Sequence, residues 1–183
     1  SAVGEDTIEN SEAGNFTSVL NLNSTSITKL KKSIETVIHS YEKKGRSHSD
    51  NQILIQKQSR NVKTSGVLFT RTPDIGAPYY IVNFEDGKST DSVTKGLIGN
   101  TIKIFRKISL EDIPDKWKNL VLSVREIEQI LGTDLLDVEF AITNNNIVIF
   151  QVRPLTTGKE LRMSGIEKNI LQIVNKNKKK LIC

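Results

Sequence analysis

Two short runs in the last third of the chain, Asp137-Val138-Glu139 and Gln151-Val152-Arg153, carry the side chains best suited to chemistry. A hard cation such as Mg2+ takes oxygen ligands, carboxylates among them, and commonly shares its coordination shell with substrate phosphates. A guanidinium can grip phosphate oxygens through two parallel hydrogen bonds and stabilise charge as a phosphoryl group moves. Asp137, Glu139, Gln151 and Arg153 are therefore suitable parts for a site that holds a nucleotide phosphate chain with Mg2+. Taken locally they also have a plainer reading, in which Asp137 and Arg153 form a cross-strand ion pair while Glu139 and Gln151 are solvated.

For the four side chains to meet, both runs must be strands of one hairpin. Residues two apart on a strand share a face, so Asp137 projects with Glu139 and Gln151 with Arg153. If Asn144, Asn145 and Asn146 form a three-residue turn, Thr143 pairs with Ile147, Glu139 lies opposite Gln151 and Asp137 lies opposite Arg153. A two-residue loop would shift the register by one and part the partners. The even register also leaves Val138, Phe140, Ile142, Val148, Phe150 and Val152 as an apolar opposite face, which supports it.

The rest of the chain must supply a platform for that hairpin. Residues 1–23 are polar, with Phe16, Val19, Leu20 and Leu22 as late apolar anchors, and read as a loop held at a few points. Ile27, Leu30, Ile34, Val37, Ile38 and Tyr41 recur at helical spacing, with Ser24 or Ser26 as N-cap and Gly45 as stop. Apolar runs over 53–56, 66–70, 79–84 and 101–105, bounded by turn residues such as Pro73-Asp74, Gly76 and Asp86-Gly87, read as strands of a largely antiparallel sheet. A second helix fits 114–131, with Pro114 in its first turn, Trp117, Leu120, Val121, Val124, Ile127 and Ile130 on one side, and Gly132 after it. The hairpin strands fall at 135–142 and 147–152, and a last amphipathic helix at 161–177. These elements make an α+β fold, an antiparallel sheet with helices packed on it.

Composition excludes several classes. A chain of 183 residues buries one ordinary core or two small lobes. Its one cysteine, Cys183, allows no internal disulfide framework, and a reducing cytoplasm is the expected compartment. No apolar run approaches the roughly 20 residues that span a bilayer, and no signal peptide is read at the N-terminus; no membrane partner is expected. The net charge of +5 comes from residues 158–183, which hold seven basic side chains and two acidic ones, while the other 157 residues balance nineteen of each sign. Such a tail reads as a solvated helix face or linker, so nucleic acid is not the expected partner.

Read together, four segments resemble the phosphoenolpyruvate synthase and pyruvate phosphate dikinase family over residues 1–157. They are Ser1-Ala2-Val3-Gly4-Glu5-Asp6 through Ala13-Gly14 to Leu20-Asn21; Ile55-Gln56 followed by Ser65-Gly66-Val67-Leu68-Phe69-Thr70-Arg71; Asp137-Val138-Glu139; and Gln151-Val152-Arg153-Pro154. The resemblance implies part of an ATP-grasp fold with ATP and Mg2+ as cofactors. By position it implies Gly14 and Ser18 in a loop over the phosphates and Gln56 at the adenine hinge. It implies Glu139 and Gln151 at the metal, and Arg153 on the phosphate chain as a catalytic residue with Glu139. It further implies transfer of a phosphoryl or pyrophosphoryl group to a histidine on a separate carrier domain, then to pyruvate or another acceptor. The family motif opens Arg-Ser-Ser-Ala and this sequence starts at its third letter. The phosphate-binding arginine and the lysine of a preceding lobe are thus expected outside this sequence, and 158–183 is expected to be a basic linker toward a further domain. Where the family carries Gly-Leu-Gly-Glu, this sequence has Asn83-Phe84-Glu85-Asp86-Gly87, a departure that points to a divergent acceptor. His39 and His48 lack the glycine-rich setting of a carrier histidine and read as surface residues.

Overall fold

In the computed structural model of the chain, residues 16–23, 25–87, 99–144 and 146–155 are described, together with Asn169, Gln172, Ile173 and Lys176. Those last four are helical; the rest of the helix expected over 161–177 lies outside the described residues. Two compact units divide the chain, Ser1–Arg60 and Asn61–Cys183.

The first unit is built on α1 (Ile27–Lys43). Ser26 opens it, its hydroxyl accepting from the Lys29 amide at 3.4 Å, which serves one of the unpaired donors of the first turn. The end is a Schellman closure: the Gly45 amide donates to the Glu42 carbonyl and the Arg46 amide to the Tyr41 carbonyl, each at 2.9 Å. That geometry requires the positive φ of 68° found at Gly45. Tyr41 is the buried residue of the helix; Phe16 meets its ring edge-on at 5.0 Å, and its hydroxyl donates to the Gln52 carbonyl at 3.1 Å. The strand expected over 53–56 does not form. Residues 51–60 have no regular structure, and Leu54 and Ile55 are 72% and 62% exposed. An apolar run becomes a strand only where an edge pairs with it. Here the segment is pinned instead by side chains, the Asn21 amide donating to Gln58 Oε1 at 2.9 Å and Gln58 Nε2 to Asn21 Oδ1 at 3.0 Å.

In the second unit, β1 (Val62–Phe69), β2 (Tyr79–Asp86), β3 (Asn100–Phe105), β4 (Leu136–Thr143) and β5 (Ile147–Pro154) form an antiparallel sheet in the order β3-β2-β1-β4-β5. Between β3 and β4 run a short 3-10 turn, Leu110–Asp112, and α2 (Asp115–Leu131), which ends at Gly132 in the left-handed conformation. The unit is α+β, as the sequence reading expects.

Alternation along the strands gives the sheet two different faces. One presents Leu68, Tyr80, Val82, Ile104, Val138 and Phe140 to Trp117, Leu120, Val121 and Val124 of α2, and these residues form the core. Burial of each aliphatic side chain there contributes on the order of 2 kcal/mol. Trp117 sits edge-on to Phe84 at 4.6 Å and to Phe140 at 6.3 Å. The apolar stripe of α2 fades in its last turn: Ile130, expected on the core side, is 74% exposed. At the helix start Lys116 lies over the Phe84 ring at 4.5 Å and meets Asp86 at 2.6 Å. Hydrogen bonds from Lys116 and then Thr64 hold the Asp86 carboxyl below its ordinary range. Among the described residues no helix is long and apolar enough to cross a membrane.

Candidate functional site

The other face of the sheet carries the residues singled out from the sequence. Asp137 pairs with Arg153 and Glu139 with Gln151 across β4 and β5, so all four side chains project together. The register expected at the site is present, but it arises differently. Ile142, not Thr143, pairs with Ile147, and the turn is closed by the Thr143 amide donating to the Asn146 carbonyl at 2.9 Å. That turn alone would put the pairs one residue out. Glu139 pairs with Gln151 and the next residue, Phe140, with Ile149, which leaves Phe150 as the extra residue of a β-bulge. The bulge restores the even register on the site side. It also changes the opposite face, since Ile147 and Ile149, rather than Val148 and Phe150, pack with Ile142 and Val152 against the core.

The start of β4 is fixed from β1. Thr70 is fully buried; its hydroxyl donates to the Asp134 carbonyl at 2.6 Å and accepts from the Leu136 amide at 2.7 Å. This clamp sits directly before Asp137. At the same open end of the hairpin, the Leu155 amide donates to the Leu135 carbonyl at 2.9 Å, which holds the strand just beyond Arg153.

Within the cluster one guanidinium serves two carboxylates. Arg153 Nη2 donates to Asp137 Oδ2 at 2.8 Å and to Glu139 Oε1 at 3.3 Å. The side chains of Arg153, Asp137 and Glu139 are 10%, 17% and 25% exposed, so these charges interact with little screening. Arg153 thus bridges the carboxylates of two successive same-face positions of β4. Asp137 holds Arg153 at the shorter distance and orients it. Glu139 is longer-held and more exposed, which makes it the carboxylate better placed to turn to a metal.

Does this set fit Mg2+ and a nucleotide? Among the described residues no group of three or more His, Cys, Asp or Glu side chains could hold a metal alone. Glu139 and Gln151 would supply two oxygen ligands, and phosphate and water the others, which is how Mg2+ is usually bound at phosphate sites. A further polar atom lies on the same face. Ser65, 4% exposed, has no hydrogen-bond partner for its hydroxyl among the described residues. The donor chemistry fits a cation shared with phosphates.

The remaining expected site residues belong to the first unit or lie outside the described residues. Ser18 is exposed in the loop before α1, and Gln56 is exposed in the irregular segment 51–60 instead of closing a strand. Both belong to the first unit, and Gly14 lies outside the described residues. His39 and His48 are surface residues, with side chains 67% and 53% exposed.

Sequence reasoning missed a second charged group, at the edge of the core. Arg106 makes a two-pronged pair with Glu128 of α2, at 2.5 and 3.2 Å, and donates to the Thr70 carbonyl at 2.9 Å. Arg71 donates to Asp134 at 2.6 and 2.9 Å and to the Gly76 carbonyl at 3.0 Å. Together with Tyr80 and Arg125 they line an open hollow of about 630 Å3. Burial, partly offset by the nearby Arg106 charge, pushes the Tyr80 phenol up. These guanidiniums are committed to carboxylates and backbone carbonyls that tie α2 to the strand ends, a structural role. The only sequence signal was Arg71 within its motif, because Arg106 follows β3, Glu128 belongs to α2 and Asp134 precedes β4.

Compared with known proteins, the chain matches no family model and no curated protein.

Proposed function

We propose that the β4–β5 face binds Mg·ATP and belongs to an ATP-dependent phosphotransferase of the phosphoenolpyruvate synthase and pyruvate phosphate dikinase type, with an ATP-grasp architecture. The observation that carries the reading is the pairing of Asp137 with Arg153 and Glu139 with Gln151, which gathers carboxylate, amide and guanidinium on one face. The motif resemblance points to the same residues from a different direction.

In this reading Arg153 grips phosphate oxygens with the fork that Asp137 orients, and lowers the cost of charge that develops during transfer. Glu139 and Gln151 present oxygens to the metal and fix its position relative to Arg153. Mg2+ supplies neutralisation of the phosphate charge when it is bound. The phosphoryl acceptor is a histidine on a separate carrier domain, and the lysine-bearing lobe that completes the nucleotide site is a further partner. The working compartment is the cytoplasm.

A second reading keeps the nucleotide but changes the acceptor. The stretch that corresponds to the family's glycine-rich Gly-Leu-Gly-Glu segment is, through Asp86, part of β2 and paired to β1. A segment paired within a sheet lacks the freedom of a glycine-rich loop, which favours an acceptor other than pyruvate, such as the amide of glutamine in capsule biosynthesis. A nucleotide-binding module without catalysis has no such observation behind it.

Titration of the chain with Mg·ATP, followed by calorimetry, tests the reading. Binding is expected to be weak, because in this reading a further lobe completes the nucleotide site. Glu139→Ala is expected to weaken it about tenfold, or ~1.4 kcal/mol, and to remove its dependence on Mg2+. Arg153→Lys keeps the charge but loses the fork, with a similar expected loss. Unchanged affinity in both variants, with far-ultraviolet dichroism intact, would refute the assignment.

A further inference from the structure

Among the described residues, the buried Ser65 hydroxyl has no hydrogen-bond partner. It lies on β1, opposite Glu85 of β2 and Ala141 of β4, while Val67, two residues on, lies opposite Glu139. By alternation Ser65 shares the face of Val67, and therefore the face of Glu139. Its neighbour Thr64 points the other way and donates its hydroxyl to Asp86 at 2.5 Å. Ala141, fully buried, offers Ser65 only a methyl group, Val67 offers no polar atom, and no hydrogen bond joins Ser65 to the carboxylate of Glu85 directly opposite. Glu139 is the diagonal neighbour, roughly 7 Å away between Cβ atoms, and its side chain still reaches solvent.

A buried hydroxyl that makes no hydrogen bond is a cost to the folded chain, and alanine would be the cheaper residue at such a position. The cost is recovered if a ligand supplies the missing partner. We propose that Ser65 is a further ligand-binding residue of the site, its hydroxyl hydrogen-bonding an oxygen of Mg·ATP bound beside Glu139, either a phosphate oxygen or a metal-bound water. The inference rests on the nucleotide reading above and extends the site from the β4–β5 hairpin onto the central strand. A hydroxyl both donates and accepts, so it can serve either oxygen.

The test sets stability against affinity in the full chain. Ser65→Ala should leave the thermal midpoint of the ligand-free chain unchanged or raise it, because an unsatisfied group is removed. The same variant should weaken Mg·ATP binding about tenfold, and Ser65→Thr, which keeps the hydroxyl, should recover part of that loss. A merely structural hydroxyl would lower midpoint and affinity together, and that result would overturn the proposal. Wild-type affinity in Ser65→Ala, beside a clear loss in Glu139→Ala, would overturn this inference alone. Failure of the wild-type chain to bind Mg·ATP would overturn the nucleotide reading and the inference with it.

Discussion

Gly66→Ala is expected to abolish the cooperative folding of the second unit, or to cost more than about 4 kcal/mol, the range reserved for severe steric defects. Gly66 sits in the central strand, paired with Phe84 on one side and Phe140 on the other. A Cβ built there would lie 2.1 Å from the backbone oxygen of Asn83 and 2.9 Å from the Cα of Phe84. Both atoms belong to the neighbouring backbone, so no side-chain rotation relieves the clash. Strands β1 and β2 would have to part, and with them the face that presents Ser65 and the register that seats β4. Gly132 provides the contrast. It has a φ of 65° and open space where a Cβ would be, so alanine there meets only left-handed backbone strain, about 1–2 kcal/mol. The single tryptophan, Trp117, is buried in this core, and its fluorescence during urea unfolding reports the unit directly. A Gly66→Ala midpoint close to that of the parent chain would show that the sheet accommodates the added carbon.

Glu128→Ala is expected to cost about 3 kcal/mol, the lower end for breaking a buried pair. The carboxylate takes both Nη atoms of Arg106 and a 3.1 Å hydrogen bond from the Tyr80 hydroxyl. Arg106 also lies over the Tyr80 ring, 4.8 Å from its centre. Removing the carboxylate leaves a guanidinium whose side chain is only 15% exposed facing a phenol, with neither group well solvated. The residual bond from Arg106 to the Thr70 carbonyl and the remaining exposure keep the cost from being larger. Glu128→Gln retains a hydrogen-bond acceptor and should lose roughly half as much. The double variant Arg106→Met, Glu128→Leu should sit much nearer the parent, since an apolar pair of similar volume replaces the ion pair without an orphaned charge. The same fluorescence unfolding decides it: a Glu128→Ala loss below about 0.5 kcal/mol, the range of ordinary surface changes, would mean that the pair is dispensable.

How far the sequence alone could reach is visible in particular residues. Ser26, Gly45 and Gly132 mark the helix ends because capping is local chemistry, written within a few positions of the residues it serves. Alternation in Asp137-Val138-Glu139-Phe140 shows which side chains share a face for the same reason. The compensating pair of irregularities in the hairpin was not legible. Nothing about Phe150 marks it as a bulge, and the tighter pairing of Ile142 with Ile147 is a choice between turn geometries that asparagine tolerates equally. The apolar run at 53–56 misled because a strand needs a partner edge, and partner edges are properties of the whole sheet. Ser65 was invisible as a site residue for a related reason. Its place beside Glu139 depends on the order β3-β2-β1-β4-β5, which joins segments more than seventy residues apart.

The central claim is that Mg·ATP is held on the β4–β5 face by Glu139, Gln151 and Arg153. Amide shift mapping by two-dimensional 1H–15N NMR, on the labelled chain titrated with Mg·ATP, locates even a weak ligand. The expected result is a saturable set of shifts centred on Glu139, Gln151 and Arg153 and extending to Ser65 on β1, absent when ATP is added with a chelator of Mg2+. Shifts confined to the hollow between Arg71, Arg106 and Arg125, or to the lysine-rich residues 176–180, would place the anion elsewhere and contradict the account.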